Sequence, residues 1–285
     1  MKMADLRIFA FADEASPQID RQIAAMKRNG LQGLEIRNVD GESVSAISLE
    51  KAREVRKKLD DAGLITWSVG SPIGKIDIEK DDFEKHLDVL KHTLEVARVL
   101  DAGNIRMFSF FLPQGKDPAL YRSEVMDRLH RMAETAAGSG VALCHENEKG
   151  IYGDMASRCL DLLTEVPELH GVFDPANFVQ CGQDTLEAWK MLNSRIDYMH
   201  IKDALFADSS VVPAGKGDGH VKEILDAFLA QGGAEVTVEP HLAVFDGLKG
   251  LERKGDRSIV GGTYVYASND EAFDAACGAL RALLG

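Results

Sequence analysis

The chain has 285 residues, 45% of them hydrophobic, with 46 acidic against 33 basic side chains and a formal charge of -13. This negative balance repels phosphate backbones, so nucleic acid is not expected as a partner. No apolar run approaches the ~20 residues that cross a bilayer, and the N-terminus lacks the pattern of a signal peptide. We therefore expect a cytoplasmic protein without a membrane partner.

Eight short runs rich in β-forming residues alternate with longer stretches of helical periodicity. In chain order, the predicted strands are residues 6–12, 33–37, 64–70, 104–110, 141–146, 171–174, 197–201 and 235–239. Strand and helix alternating at roughly 35 residues per unit predict a single α/β domain over residues 1–285, folded as a (β/α)8 or TIM barrel.

The segments between the first strands carry the start and stop signals of helices. Ser16 is a predicted N-cap, and Gly30 is the predicted stop of the same helix. Ser48 and Gly63 bracket the next helix in the same way. A longer third helix is predicted to end at Gly103, so that each of these helices stops at glycine just before a strand.

Four predicted strands, all beyond residue 140, end in a side chain that can bind a divalent metal: Glu146, Asp174, His200 and Glu239. Three carboxylates and one imidazole suit a single Mn²⁺, Mg²⁺, Co²⁺ or Zn²⁺ ion with open positions for water or substrate. Taken singly, each carboxylate could cap a helix and the histidine could be a core residue. Because barrel enzymes place their chemistry at the C-terminal ends of strands, we expect the four side chains to converge.

Other polar segments have two interpretations. Lys202 and Asp203 come shortly after His200, either to contact a substrate or to begin an exposed helix. The segment GSPIGK, with Lys75, either wraps over a substrate or closes a tight Ser-Pro turn. The GKGDGH segment lacks the phosphate-loop pattern and is interpreted as a shaped loop before a helix, where phosphate binding stays open. Three histidines lie near these segments as partners of the site or as loop residues: His145, His220 and His241.

A series of motifs along nearly the full length appears in the order typical of one family. The motifs are GLEIR, GSPIGKI, IRMFSF, HENEKG, FDPANF, MHIKDA, the GKGDG loop and VEPH. On these motifs the chain resembles the xylose isomerase-like barrel superfamily, in the sugar phosphate isomerase/epimerase branch. The resemblance implies that Glu146, Asp174, His200 and Glu239 are metal ligands, and that Glu146 and Glu239 are also the acid–base pair.

The function implied by this resemblance is that of a metal-dependent isomerase or epimerase of a sugar, sugar phosphate or sugar acid. One glutamate would remove a proton next to a carbonyl, and the metal would stabilise the resulting enediolate as a Lewis acid. The other glutamate would return a proton to the opposite face in an epimerisation. Return of the proton to the neighbouring carbon would be an isomerisation.

One part of the family pattern differs. Ketose 3-epimerases carry a histidine three residues after the aspartate ligand and an arginine shortly after the histidine ligand, whereas this chain offers Asn177 and Lys202. This difference argues against a free ketohexose as the substrate. Together with Lys75, these two residues are the predicted contacts of a small carbohydrate substrate.

Competing interpretations share the barrel. An inosose dehydratase-like lyase would begin with the same proton abstraction and end by losing water. A catalytically inactive barrel would bind metal or sugar without turnover. A nuclease would need more metal ligands and a surface attractive to DNA, which the negative charge disfavours. The resemblance also suggests a homodimer or homotetramer.

Overall fold

A computed structural model of the chain describes residues 6–248, 260 and 264–285. The barrel strands are β1 Arg7–Ala10, β2 Gly33–Ile36, β3 Ile65–Gly70, β4 Asn104–Met107, β5 Ala142–Glu146, β6 His170–Phe173, β7 Ile196–Ile201 and β8 Glu235–Val238. All neighbours pair in parallel in this order, and β8 pairs with β1 from Arg7↔Glu235 to Ala10↔Val238, which closes the ring. The predicted (β/α)8 barrel is confirmed.

Helices surround the barrel on its outside. Their bounds are α1 Ile19–Arg28, α2 Leu49–Ala62, α3 Phe83–Leu100, α4 Arg122–Ala136, α5 Ala156–Glu165, α6 Pro175–Gln180, α7 Thr185–Leu192, α8 Val221–Ala230 and α9 Asn269–Leu284. Two short antiparallel pairs, Asn38–Val39 with Glu42–Ser43 and Asp203–Ala204 with Val211–Val212, lie in the connections. In the part of the chain described here, no helix combines the length and apolar character needed to cross a membrane.

Two of the predicted helix limits are wrong by a few residues. Ser16 is not the N-cap of α1, because that helix begins at Ile19 and Ser16 Oγ accepts the Gln18 N–H at 3.3 Å instead. Helix α3 ends at Leu100, and Asp101, with φ 58°, takes the left-handed position two residues before Gly103. The limits of α2 are as predicted, with a Ser48 side-chain cap and a left-handed Gly63.

The predicted fourth strand, residues 104–110, is also too long. Barrel pairing stops at Met107, because the Phe108 N–H donates to Ile73 O at 2.8 Å and the Phe110 N–H donates to Gly74 O at 3.0 Å. The chain thus leaves the barrel to pair with the loop that contains Lys75. This loop is tightly packed: a Cβ on Gly74 would lie 2.0 Å from Phe108 O.

Aromatic side chains fill the inside of the barrel below the strand ends. Phe9 stacks on Trp67 with ring centroids 5.1 Å apart, and Trp67 meets Tyr198 edge to face at 5.9 Å. Side chains in a strand alternate between its two faces, so His200 points inward one level above Tyr198. The aromatic layer is therefore a floor, and the polar side chains above it face the C-terminal end of the barrel, here called the mouth.

Candidate active site

The four predicted metal ligands meet at the mouth of the barrel. Glu146 ends β5, Asp174 follows β6, His200 lies in β7 and Glu239 follows β8. All four are buried, and one potential ligand atom from each lies within 4.8 Å of the other three. His200 Nδ1 is 3.2 Å from Glu146 Oε1, 3.5 Å from Glu239 Oε2 and 3.8 Å from Asp174 Oδ2. We call these four residues the ligand cluster.

The atoms that the cluster brings together fit the donor set of a metal ion. Asp174 Oδ1 accepts the Asn177 N–H at 2.8 Å as the N-cap of α6, and the buried Oδ2 faces the Lys202 ammonium at 2.8 Å. A buried carboxylate oxygen is costly unless a donor or cation faces it. Its position beside an imidazole nitrogen and two further carboxylates gives a donor set suited to one divalent ion.

His200 is oriented by Glu35 on the opposite side of its ring. His200 Nε2 lies 3.1 Å from Glu35 Oε2, while Glu35 Oε1 accepts the Tyr198 hydroxyl at 3.0 Å and the Ser68 hydroxyl at 3.3 Å. Metal binding would displace the Nδ1 proton of His200, so that Nε2 donates to Glu35 and the Nδ1 lone pair faces the ligand cluster. A carboxylate behind a ligating histidine fixes its ring and tautomer.

Each of the two glutamates of the cluster has its own arginine. Arg106 NH1 lies 3.1 Å from Glu146 Oε2, and Arg37 NH1 donates to Glu239 Oε1 at 3.3 Å. Both guanidinium groups pack on the same ring, since their central carbons lie 4.5 Å (Arg37) and 5.3 Å (Arg106) from the Phe11 centroid. The arginines that face the two carboxylates therefore both pack on one phenyl ring.

The charges around the cluster set the protonation of its acids. Burial would raise the pKa of Glu146, but His200 and Arg106 outweigh it and lower that pKa to about 2. Burial likewise opposes ionisation of Glu239, whose pKa is nevertheless lowered, first by Lys202. For Asp174, burial and the two neighbouring glutamates raise the pKa to about 7. Crowded carboxylates of this kind favour the binding of a divalent cation.

Of the three predicted substrate contacts, Lys202 lies inside the ligand cluster. Its Nζ is 2.8 Å from Asp174 Oδ2 and 2.8 Å from Glu239 Oε2, and the residue is only 6% exposed. Asn177 lies beside the cluster, where its side-chain amide donates to Glu146 Oε1 at 3.1 Å and to a backbone carbonyl at 2.9 Å. Asn177 therefore orients a carboxylate of the cluster.

Lys75 lies further from the cluster. Its Nζ donates to Glu148 Oε2 at 2.9 Å and sits 4.4 Å from the centroid of the Phe108 ring. Asp203, the other weak candidate, is fully buried and accepts backbone N–H groups of the glycine-rich loop. An exposed helix start at this position is therefore wrong.

One of the three additional histidines contacts the site. His241 Nδ1 is 3.0 Å from Glu14 Oε1 and 3.7 Å from Glu239 Oε1, and these three residues form a second group with metal-ligand atoms. Arg37 also pairs with Glu14 and Glu239, so a guanidinium already offsets part of the negative charge of this group. His145 and His220 contact hydroxyl groups of neighbouring elements instead.

Sequence reasoning missed the charged residues that support the cluster: Glu35, Arg37 and Arg106. A signal for them was present, because charged residues inside predicted strands of a barrel are unusual. In GLEIR, a period of two places Glu35 and Arg37 on the same face of the strand. Both are buried, as is Arg106 in the IRMFSF segment.

An eight-stranded barrel with a buried cluster of carboxylates and an imidazole at its mouth defines a class: (β/α)8 proteins equipped to bind a divalent metal where their chemistry takes place. Residues 23–254 match the family model described as the xylose isomerase-like TIM barrel. The chain belongs to this family.

Known proteins similar to this chain include a dehydratase and an epimerase. An inosose dehydratase of Mesomycoplasma hyopneumoniae strain 7448 is 26% identical over 191 residues, or 65% of this chain. The match spans 62% of the dehydratase, which is less than two thirds of that protein's length. The crystal structure of D-psicose 3-epimerase in the presence of D-fructose has a TM-score of 0.72 at 17% identity, covering 97% of both chains. The IOLI protein with a zinc atom has a TM-score of 0.71 at 14% identity, covering 98% of both. At such identities the two structures show a shared fold.

Proposed function

We propose that this protein is an isomerase or epimerase that uses one divalent metal ion to move a proton next to the carbonyl of a carbohydrate. The observation that carries the proposal is the placement of Glu146 and Glu239. They share one ligand cluster but come from β5 and β8, which two other strands separate in the barrel. Two carboxylates on different sides of one substrate position are what transfer of a proton between its faces requires.

The supporting contacts give each glutamate a fixed orientation. Asn177 and Arg106 face the two oxygens of Glu146 at 3.1 Å each. Arg37 donates to Glu239 Oε1, which leaves Oε2 turned toward the cluster. The metal would act as a Lewis acid that polarises the substrate carbonyl. We assign Glu146 and Glu239 as the proton carriers, and the carbon to which the second proton returns separates epimerisation from isomerisation.

Lys202 is assigned to the substrate oxygen. Its ammonium lies 2.8 Å from carboxylate oxygens of Asp174 and Glu239, so a substrate oxygen near the cluster would come within its reach. A buried cation at this position offsets the negative charge that develops on oxygen when the proton leaves. Asn177 and Lys75 complete the proposed substrate contacts, one next to Glu146 and one bonded to Glu148.

A second candidate is dehydration of an inosose. It is favoured by the sequence match to inosose dehydratases. Dehydration begins with the same removal of a proton next to a carbonyl. A hydroxyl group then leaves from the adjacent carbon as water, with a proton from the second acid. Only the fate of that hydroxyl separates the two candidates, so analysis of the product decides between them.

The test combines metal content with solvent exchange. The protein is loaded separately with Mn²⁺, Co²⁺, Mg²⁺ and Zn²⁺, and incubated in deuterated water with ketoses, sugar acids and inososes. We expect about one ion per chain, lost in Glu146→Ala, and deuterium entering one carbon of one substrate, detected by mass spectrometry. Glu239→Gln should bind metal and slow exchange by about 10²- to 10⁴-fold.

A matched control comes from the other end of β8. Glu235→Gln removes a carboxylate that pairs with Arg7 at 2.6 Å, away from the mouth, and should leave exchange unchanged. Deuterium without loss of water supports the isomerase or epimerase, and loss of water supports the dehydratase. A protein that binds metal but exchanges no substrate proton would be a binding barrel, and a protein that binds no metal would contradict both candidates.

A further inference from the structure

The GKGDG loop between β7 and α8 closes around a carboxylate of the chain itself. Asp203 Oδ2 accepts the N–H groups of Gly215 at 2.9 Å and Gly217 at 3.0 Å. Asp203 Oδ1 accepts those of Gly219 and Ala204, both at 2.9 Å. Four backbone N–H groups converging on one anion form the kind of nest that binds phosphate in other proteins. Here the anion is an aspartate.

The loop fits this carboxylate closely. A Cβ added to Gly217 would lie 2.4 Å from Asp203 Oδ1, and one added to Gly219 would lie 2.7 Å from the same oxygen. Gly215 has a φ of +81°, which side chains rarely adopt. The loop therefore wraps Asp203 at a distance that only glycine allows. A phosphate could use these N–H groups only if Asp203 left.

Four cations in and beside the ligand cluster are each matched by at least one carboxylate. Their partners are Asp13, Glu14 and Glu239 for Arg37, Glu146 for Arg106, Asp174 and Glu239 for Lys202, and Glu148 for Lys75. Around the ligand cluster, three of these cations are buried: Arg37, Arg106 and Lys202. Six buried carboxylates surround them, namely their own partners and Glu35. A divalent ion would leave this group with about one negative charge.

We propose that the substrate of this site is an uncharged polyhydroxy ketone, and that Asp203 fills the backbone nest in which a phosphate would otherwise bind. This inference rests on the function proposed above. A phosphate or carboxylate that bound to these four cations would have to displace an existing ion pair, and breaking a buried ion pair is costly. Hydroxyl groups, in contrast, donate hydrogen bonds, and the carboxylates of the mouth accept them.

The first experiment compares matched substrates on the metal-loaded wild-type protein in deuterated water. Each ketose or inosose is paired with its phosphate ester and with a keto acid of the same chain length. We expect kcat/KM for deuterium incorporation to be about 10- to 100-fold higher for the uncharged member, the range for leaving a charged group without a partner. Faster exchange of a phosphate ester or keto acid overturns the inference and leaves the proposed function intact. No metal-dependent exchange in any class overturns both.

The second experiment opens the nest. Asp203→Gly removes the internal anion, and thermal unfolding is followed with and without millimolar inorganic phosphate. We expect a lower Tm that phosphate partly restores, because a ligand that binds only the folded state stabilises it. The wild type and Asp208→Gly, an exposed aspartate nearby, should not respond to phosphate. An equal phosphate effect in all three proteins, or none in Asp203→Gly, would refute the nest. The substrate comparison decides the inference even when this variant does not fold.

Discussion

Arg106→Met is expected to change metal binding and proton transfer in opposite directions. The Arg106 guanidinium lies between two phenyl rings, 5.3 Å from the Phe11 centroid and 4.6 Å from that of Phe108. Its NH1 is 3.1 Å from Glu146 Oε2. Methionine keeps much of the apolar contact with the rings but removes the positive charge. Glu146 then loses a cation beside one of its oxygens.

The magnitude follows from the burial of this pair. Both side chains are nearly inaccessible, and removing one partner of a buried ion pair costs about 3–5 kcal/mol. In the metal-free protein we expect a loss of stability in this range. A positive charge near the cluster also opposes a divalent ion, so its removal should tighten metal binding by about tenfold or more at an effective dielectric constant of ~20. Glu146 without its arginine is less well oriented, and exchange should slow by about 10²-fold.

Three measurements on one variant check this reasoning. Urea unfolding of the metal-free protein gives the stability, calorimetric titration with Mn²⁺ gives the affinity, and deuterium incorporation gives the rate. Arg106→Lys should recover part of the stability, and Arg98→Met, on the exposed face of α3, should change none of the three. Weaker metal binding together with slower exchange would mean that Arg106 builds the site as a whole, and the charge argument would be wrong.

Three further predictions concern the surroundings of the cluster. Glu35→Gln should weaken metal binding about 10- to 100-fold in a titration while the fold remains, because Glu35 holds His200 Nε2 at 3.1 Å. Gly217→Ala should lower the Tm, since its Cβ would meet a carboxylate oxygen at 2.4 Å. His86 Nε2 accepts the Gly74 N–H at 2.7 Å, and burial lowers the pKa of His86 from 6.5 to about 4. As the pH falls, the unfolded chain therefore protonates His86 before the folded protein does. Urea unfolding at a series of pH values should show the full free energy of unfolding above pH 6.5 and a loss of up to about 3 kcal/mol toward pH 4. His86→Gln should flatten this slope.

The fold and the ligand cluster could be predicted because both depend on local patterns. Strand and helix alternate in the sequence, and a parallel barrel brings all C-terminal strand ends to one mouth. The side chain that ends a strand can therefore be placed without knowing its contacts. The predicted helix ends at Ser16 and Gly103 were less accurate, because several nearby polar residues or glycines could serve as the cap at each end of a helix.

The charged residues that contact and orient the ligand cluster could not be predicted in the same way. Glu35 meets His200 across 165 residues of sequence, and Arg37 meets Glu239 across 202. The alternation of side chains along a strand indicates which charged residues face inward. Which partner each of them contacts depends on packing across the barrel. The nest around Asp203 is of the same kind, since the glycines indicate a close approach without naming the anion.

The residues around the proposed acid–base pair, rather than the pair itself, should decide which reaction takes place. Removal of a proton next to a carbonyl is common to isomerisation, epimerisation and dehydration, and the roles proposed for Glu146 and Glu239 would serve any of them. The outcomes differ in which oxygen or carbon receives the second proton. That choice depends on how the substrate is held. By the resemblance drawn from the sequence, Asn177 falls where ketose 3-epimerases carry a histidine, and Lys202 is the nearest match to their arginine. Lys202→Arg combined with Asn177→His should therefore shift the product ratio more than the rate of the first proton transfer, which separate assays of exchange and product can compare.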